Sequence, residues 1–234
     1  MSILWISIFN NVLSTHITDF NKSLSISIRL PKGIVVLNPF KNELTRYLSE
    51  AFYKKYYSDS NKRTAIIGIN PGRFGSGITG VPFTDPINLE KYCGIKNNLP
   101  KKHELSSEFV YRVIEAYGGL QNFYGDFYFT SVSPLGFTKD GKNINYYDDK
   151  VLQTKLEDFI CESFTTQLSW GINREVAFVF GEGKNYDFLE KLNQQHRFFK
   201  LLIPLPHPRF IMQYKRKKVD EYIALYLRAL QGTT

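Results

Sequence analysis

The chain has 234 residues, of which 43% are hydrophobic and 22% charged, and a formal net charge of +8. That length and apolar share suit one globular domain with a sizeable core and exclude a disordered or low-complexity chain. The basic balance favours a polyanionic partner.

The first stretch, MSILWISIFNNVLSTHITDF, is apolar but broken by Asn10 and Asn11. It has no basic leader and no small-residue cleavage site, so it reads as neither a signal peptide nor a membrane span. Residues 1–60 read as mainly helical, interrupted at Pro31-Lys32-Gly33 and at Asn38-Pro39. Within them Leu44, Tyr47, Leu48, Ala51, Phe52 and Tyr56 recur at helical spacing and predict a packed helix over 43–57. Four short apolar runs follow, at 64–70, 127–132, 176–181 and 199–205, each of strand length and each running into Gly, Pro or Ser. Helix-like stretches lie between and after them, at 106–117, 148–171, 185–194 and 215–230. Alternating strands and helices predict a three-layer α/β/α sandwich around a central four-stranded, mainly parallel sheet. One domain over 1–234 is expected, with a mainly helical part at 1–60, a core at 64–210 and a basic C-terminal helix at 215–230.

Ligands of such sheets sit outside the carboxyl ends of the strands. The unusual loops fall there: GINPGRFG, SVSPLGF, GEGKN and PLPHPRF. Gly75-Ser76-Gly77-Ile78-Thr79-Gly80 matches GxGxxG as text, but it does not directly follow the strand, and Pro82 and Pro86 prevent a clean helix after it. A dinucleotide site is therefore not expected, and no Gly-Lys-Ser/Thr supplies a Walker loop. The two cysteines, Cys93 and Cys161, form no CxxC, and the four histidines are far apart, so no metal site is expected and the thiols read as reduced and cytoplasmic. What remains is a pocket. Pro71 biases Asn70 to an extended conformation at the strand tip, the glycines let backbone approach a flat ligand, and Phe83 offers an aromatic face.

The stretch GINPGRFGSGITGVPF resembles the first motif of the single-strand-selective monofunctional uracil-DNA glycosylases, and of a bacterial side branch in particular. Ser133-Pro134-Leu135 resembles that family's second segment, and Pro206-His207-Pro208-Arg209 its final His-Pro motif. The resemblance implies the uracil-DNA glycosylase fold and cleavage of the N-glycosidic bond of a base held out of the DNA stack. It implies that Asn70 positions the attacking water and that His207 donates to the carbonyl oxygen of the departing base. Phe83 would stack on that base, Ile69 would offer backbone contacts, and Gly72 would leave room where strict relatives carry a bulky Tyr. No cofactor or metal is implied. The partner implied is DNA, single-stranded or with the damaged base flipped out, and a monomer without membrane contact is expected. No lysine holds a nucleophile position, so the product should be an intact abasic site.

Two departures modify the expectation. Ser131 stands where the family usually has Asn, and a hydroxyl that rotates can donate or accept, which predicts hypoxanthine and xanthine as substrates beside uracil. A shifted register would instead turn Ser133 or Thr130 to the base. The last motif is shorter than His-Pro-Ser-Pro-Arg, so a wedge into duplex DNA would come from Arg209, Phe210 and Met212. Lys215, Arg216, Lys217 and Lys218 would open the last helix and meet DNA phosphates; the alternative is a solvated face. Two rivals stand beside the glycosylase: a weakly catalytic module that binds single-stranded or abasic DNA, and a small-molecule nucleoside hydrolase on the same fold.

Overall fold

A computed structural model describes residues 12–232. Most of the apolar N-terminal stretch, read above as neither signal peptide nor span, lies outside the described residues. Helix α1 (Leu13–Ser23) packs on α2 (Glu43–Tyr56), and between them run strand β1 (Ile34–Leu37) and a 3-10 turn (Pro39–Lys41). The first sixty residues are therefore not only helical. Asn42 caps α2 by accepting from the Thr45 N–H at 3.0 Å.

The central sheet holds β2 (Thr64–Gly68), β3 (Phe127–Ser131), β6 (Asn173–Phe180) and β7 (Leu201–Leu205) in the order β3-β2-β6-β7. All its pairings are parallel. Every residue of β2 is buried, as an inner strand covered on both faces requires. A second sheet, antiparallel, joins β1 to the hairpin of β4 (Gly136–Lys139) and β5 (Lys142–Ile144).

The crossover from β2 to β3 carries α3 (Ser76–Thr79), α4 (Pro86–Lys91), α5 (Leu105–Tyr117) and α6 (Leu120–Asp126). The one from β3 to β6 carries the hairpin and α7 (Lys150–Leu168), and α8 (Lys184–His196) joins β6 to β7. Strand alternation assigns the two faces. Tyr128 and Thr130 of β3 both bond the Gln167 side chain of α7, at 2.9 and 2.6 Å. Phe127 and Phe129 point the other way, onto Phe123 of α6.

After β7 the chain forms α9 (Pro208–Tyr214), a 3-10 turn (Arg216–Lys218) and α10 (Val219–Gln231). The basic run thus does not open the last helix. It forms a separate turn, and the first turn of α10 carries Asp220 and Glu221, the charges its dipole favours.

Candidate active site

Because the four strands are parallel, their carboxyl ends share one edge. The loops leaving that edge enclose a cavity of about 590 Å³, within the range of small-molecule sites. Ile69, Asn70, Gly72, Phe83, Ser131, His207, Arg209 and Phe210 all line it. The sequence-selected loops thus converge on one space. Lys215, Arg216, Lys217 and Lys218 are exposed and lie just beyond the cavity-lining helix α9.

Asn70 is gripped by the segment between β5 and α7. Its Oδ1 accepts from the Tyr146 N–H at 3.0 Å, and its Nδ2 donates to the Ile144 carbonyl at 3.4 Å. The Tyr146 N–H can only donate, so it fixes which end of the carboxamide is oxygen. One lone pair on that oxygen remains for a water. Tyr146 also donates its hydroxyl to Asn185 Oδ1 at 3.0 Å, tying this segment to the start of α8.

His207 is the N-cap of α9, and its Nδ1 accepts from the Arg209 N–H at 3.1 Å. An accepting Nδ1 leaves the ring proton on Nε2. Burial, with the Arg209 charge adding to it, pulls the imidazole down to about 4, so the ring is neutral at physiological pH. Tyr226 of α10 donates to the Pro206 carbonyl and fastens the loop next to this histidine.

Phe83 is wedged against Phe129 and Phe180, with ring centroids 5.1 and 5.2 Å away, and its centroid lies 6.4 Å from that of His207. Its φ of 52° is in the left-handed region, where a bulky residue is strained by about 1 kcal/mol or more. Gly68 makes the fit, since a Cβ there would lie 2.8 Å from the Phe83 ring.

Two of the three residues that could meet a base do not reach the cavity. Thr130 faces α7, and the buried Ser133 donates to the Leu135 carbonyl at 2.7 Å. Ser131 alone of the three lines the cavity. Met212 is 2% exposed and packs in the core, so it takes no part in a wedge. Phe210 is exposed on α9, its ring 5.5 Å from that of the more exposed Tyr214.

A sequence-family model described as "Uracil DNA glycosylase superfamily" matches residues 54–231. The chain belongs to this superfamily. Within it the chain is similar to SMUG2 of Pedobacter heparinus, whose wild-type crystal structure superposes with a TM-score of 0.93. The two are 46% identical, over 95% of this chain and 98% of that one. No curated protein gives a match.

Several lining residues of this superfamily member were not foreseen. Glu104, Asn143, Asn145, Tyr147, Lys184 and Tyr214 also face the cavity. Most come from the crossovers, which carry no strand-end motif. The Asp140-Gly141 pair, with φ of 51° and 69°, was the available signal for the hairpin that brings in Asn143 and Asn145. Among the described residues no cluster of three His, Cys, Asp or Glu could hold a metal ion, and no helix is long and apolar enough to cross a membrane.

Proposed function

We propose that the chain is a monofunctional DNA glycosylase that hydrolyses the N-glycosidic bond of deaminated bases, uracil and beside it hypoxanthine or xanthine. The observation that carries this reading is the convergence of Asn70 and His207, from loops after different strands, on one cavity that Phe83 also lines. A base extruded from the stack enters the cavity and lies against the Phe83 ring, a contact of roughly 1–3 kcal/mol per base. The neutral His207 donates its Nε2 proton in a hydrogen bond to the base oxygen beside the glycosidic nitrogen. That oxygen gains negative charge as the bond lengthens, and a donor aimed at developing charge is worth about 3 kcal/mol.

Asn70 holds the water by its free lone pair. A carboxamide orients water but does not remove its proton. This suits a reaction in which the sugar becomes cation-like before the water adds. Ser131 meets the base edge with a rotatable hydroxyl, Ile69 contributes backbone contacts, and Gly72 leaves the base's flank open. Arg209, Phe210 and the basic run 215–218 hold the DNA strand, with Phe210 stacking on a neighbouring base. No cofactor takes part, and the product is an abasic site.

The test is a panel of single-stranded and duplex oligonucleotides, each with one deaminated base, scored for alkali-sensitive breaks. Breaks at uracil support the reading. Tight binding with no base release at high protein concentration would favour the binding module instead, and release from free nucleosides alone would favour the small-molecule hydrolase.

A further inference from the structure

Glu104 and Asn143 are among the polar groups of the cavity that the chemistry above leaves unused. Glu104 precedes α5, and its backbone N–H donates to Asp85 Oδ2 at 3.1 Å. Its side chain folds over the loop after β2 and lines the cavity. A Cβ on Gly75 would stand 2.0 Å from Glu104 Oε2, so that glycine is what admits the carboxyl. A Cβ on Gly72 would stand 3.7 Å from Glu104 Oε1 and 3.5 Å from Asn143 Nδ2. Asn143 Oδ1 accepts from the Arg73 N–H at 3.3 Å, which leaves the amide's N–H groups on the Gly72 side. A carboxyl and an amide therefore flank one bare backbone position, two residues from Asn70. Among the described residues nothing hydrogen-bonds the Glu104 carboxyl.

The sheet order bears on which edge of a base would meet this pair. The tips of β2 and β7 are about 10 Å apart because β6 lies between them, so a base held between their loops would meet each on a different side. His207 takes the side of the pyrimidine carbonyl oxygen next to the glycosidic nitrogen, which a purine occupies with N3. The Gly72 side then meets the other edge. There a pyrimidine presents C6 and C5, whereas a purine presents C8 and N7. A C–H at C5 gives a carboxylic acid nothing to bond, but the N7 lone pair does.

We propose, resting on the glycosylase reading, that Glu104 is a catalytic acid specific to purines and protonates N7 of a flipped-out deaminated purine, with Asn143 steadying the same edge. As the bond from C1′ to N9 breaks, its electron pair goes to the base. The Glu104 proton moves to N7, and the base leaves as a neutral tautomer. Water adds to C1′ and releases one proton, which returns to the Glu104 carboxylate through solvent. Burial pushes the carboxyl up to about 7, the Asp85 charge adds to this and Arg209 opposes it, so the acid form is present at and below neutrality. The loop after β2 and strand β5 bring glycine backbone and neutral Asn143 to this carboxyl, and the Arg73 guanidinium is bonded to the Gly141 carbonyl.

The experiment compares release of hypoxanthine, 7-deazahypoxanthine and uracil from single-stranded oligonucleotides. Glu104→Gln should lower the ratio of hypoxanthine to uracil release about a hundredfold, the scale of general acid catalysis. In the unaltered chain, replacing N7 by CH should cost a similar factor, and in Glu104→Gln it should cost nothing more. Hypoxanthine release, but not uracil release, should fall as pH rises through about 7. Equal losses on both bases would overturn the role of Glu104 and leave the glycosylase reading standing. So would 7-deazahypoxanthine released as fast as hypoxanthine by the unaltered chain, whatever the variant does. Release of neither uracil nor hypoxanthine would remove both.

Discussion

At the scale of single residues, the proposed chemistry depends on two neutral groups held by backbone. His207 is kept uncharged by its surroundings, and its Nδ1 is occupied by the Arg209 N–H. A group whose pKa is lowered from 6.5 to about 4 stays neutral until the solution is strongly acidic. Uracil release should therefore be level from pH 8 to 5 and decline only near 4; a midpoint near 6.5 would show that the imidazolium takes part instead. His207→Ala should slow release about a hundredfold, the size of a lost donor at developing charge, and Asn70→Ala should do the same by losing the water. Far-ultraviolet circular dichroism should show both variants folded. Ser131→Asn should narrow the range toward uracil, because a fixed amide presents one donor and one acceptor. An unchanged ratio of hypoxanthine to uracil release would mean that Ser131 does not read the base. That these residues would gather at the carboxyl edge of the sheet was legible because each sits at a strand end or in the short loop just after it, where a motif is contiguous. Glu104 was not legible. It lies in a crossover between helices, and what brings it to the cavity is a fold of the chain that lets it nestle on Gly75.

At the scale of elements, the strands and most helices could be read from apolar runs and periodicity, while the small antiparallel sheet could not. Its strands are three or four residues long, and Lys142 and Asn143 of β5 are exposed, so no alternation betrays them. The basic run was misread for a related reason: four charged residues ahead of an amphipathic helix look like its first turn. As a separate turn it has a divided fate. Arg216 pairs with Glu108 of α5 and Lys218 with Glu221, each at 3.1–3.2 Å, whereas Lys215 and Lys217 form no ion pair among the described residues. The two free lysines should dominate phosphate contact. Replacing Lys215 and Lys217 with Gln should weaken binding to single-stranded DNA and lower the slope of log affinity against log salt by roughly 1.4, at about 0.7 per charge. Replacing Arg216 and Lys218 should change the slope less. If neither pair alters it, the run is a solvated face.

At the scale of the whole molecule, the edge that carries the site is balanced by an anchor at the opposite edge. Arg63 immediately precedes β2 and is fully buried. Its five N–H donors are all used. Nε donates to the Tyr124 carbonyl at 2.6 Å, and the two terminal nitrogens reach the carbonyls of Asn61 and Tyr56 and both oxygens of Asp59, the latter at 2.7 and 2.9 Å. One side chain thus joins the end of α2, the end of α6 and the start of the central strand. The same contact holds the Asp59 carboxyl below its usual range, so the pair's contribution is present above about pH 4 and is lost as acid protonates that carboxyl. Sequence alone gives no sign of this, because a lone Arg before an apolar run reads as a solvated strand end. Arg63→Met keeps much of the volume but takes this donor from the buried Tyr124 and Tyr56 carbonyls, at about 1–3 kcal/mol each. The melting temperature should fall by about 10 °C. Base release per folded molecule should hold at temperatures well below melting, since the anchor lies at the other end of β2 from Asn70. A variant that melts normally would show that the network is dispensable. One that melts early and also loses activity while still folded would show that strain at the strand's start is transmitted along β2 to the cavity.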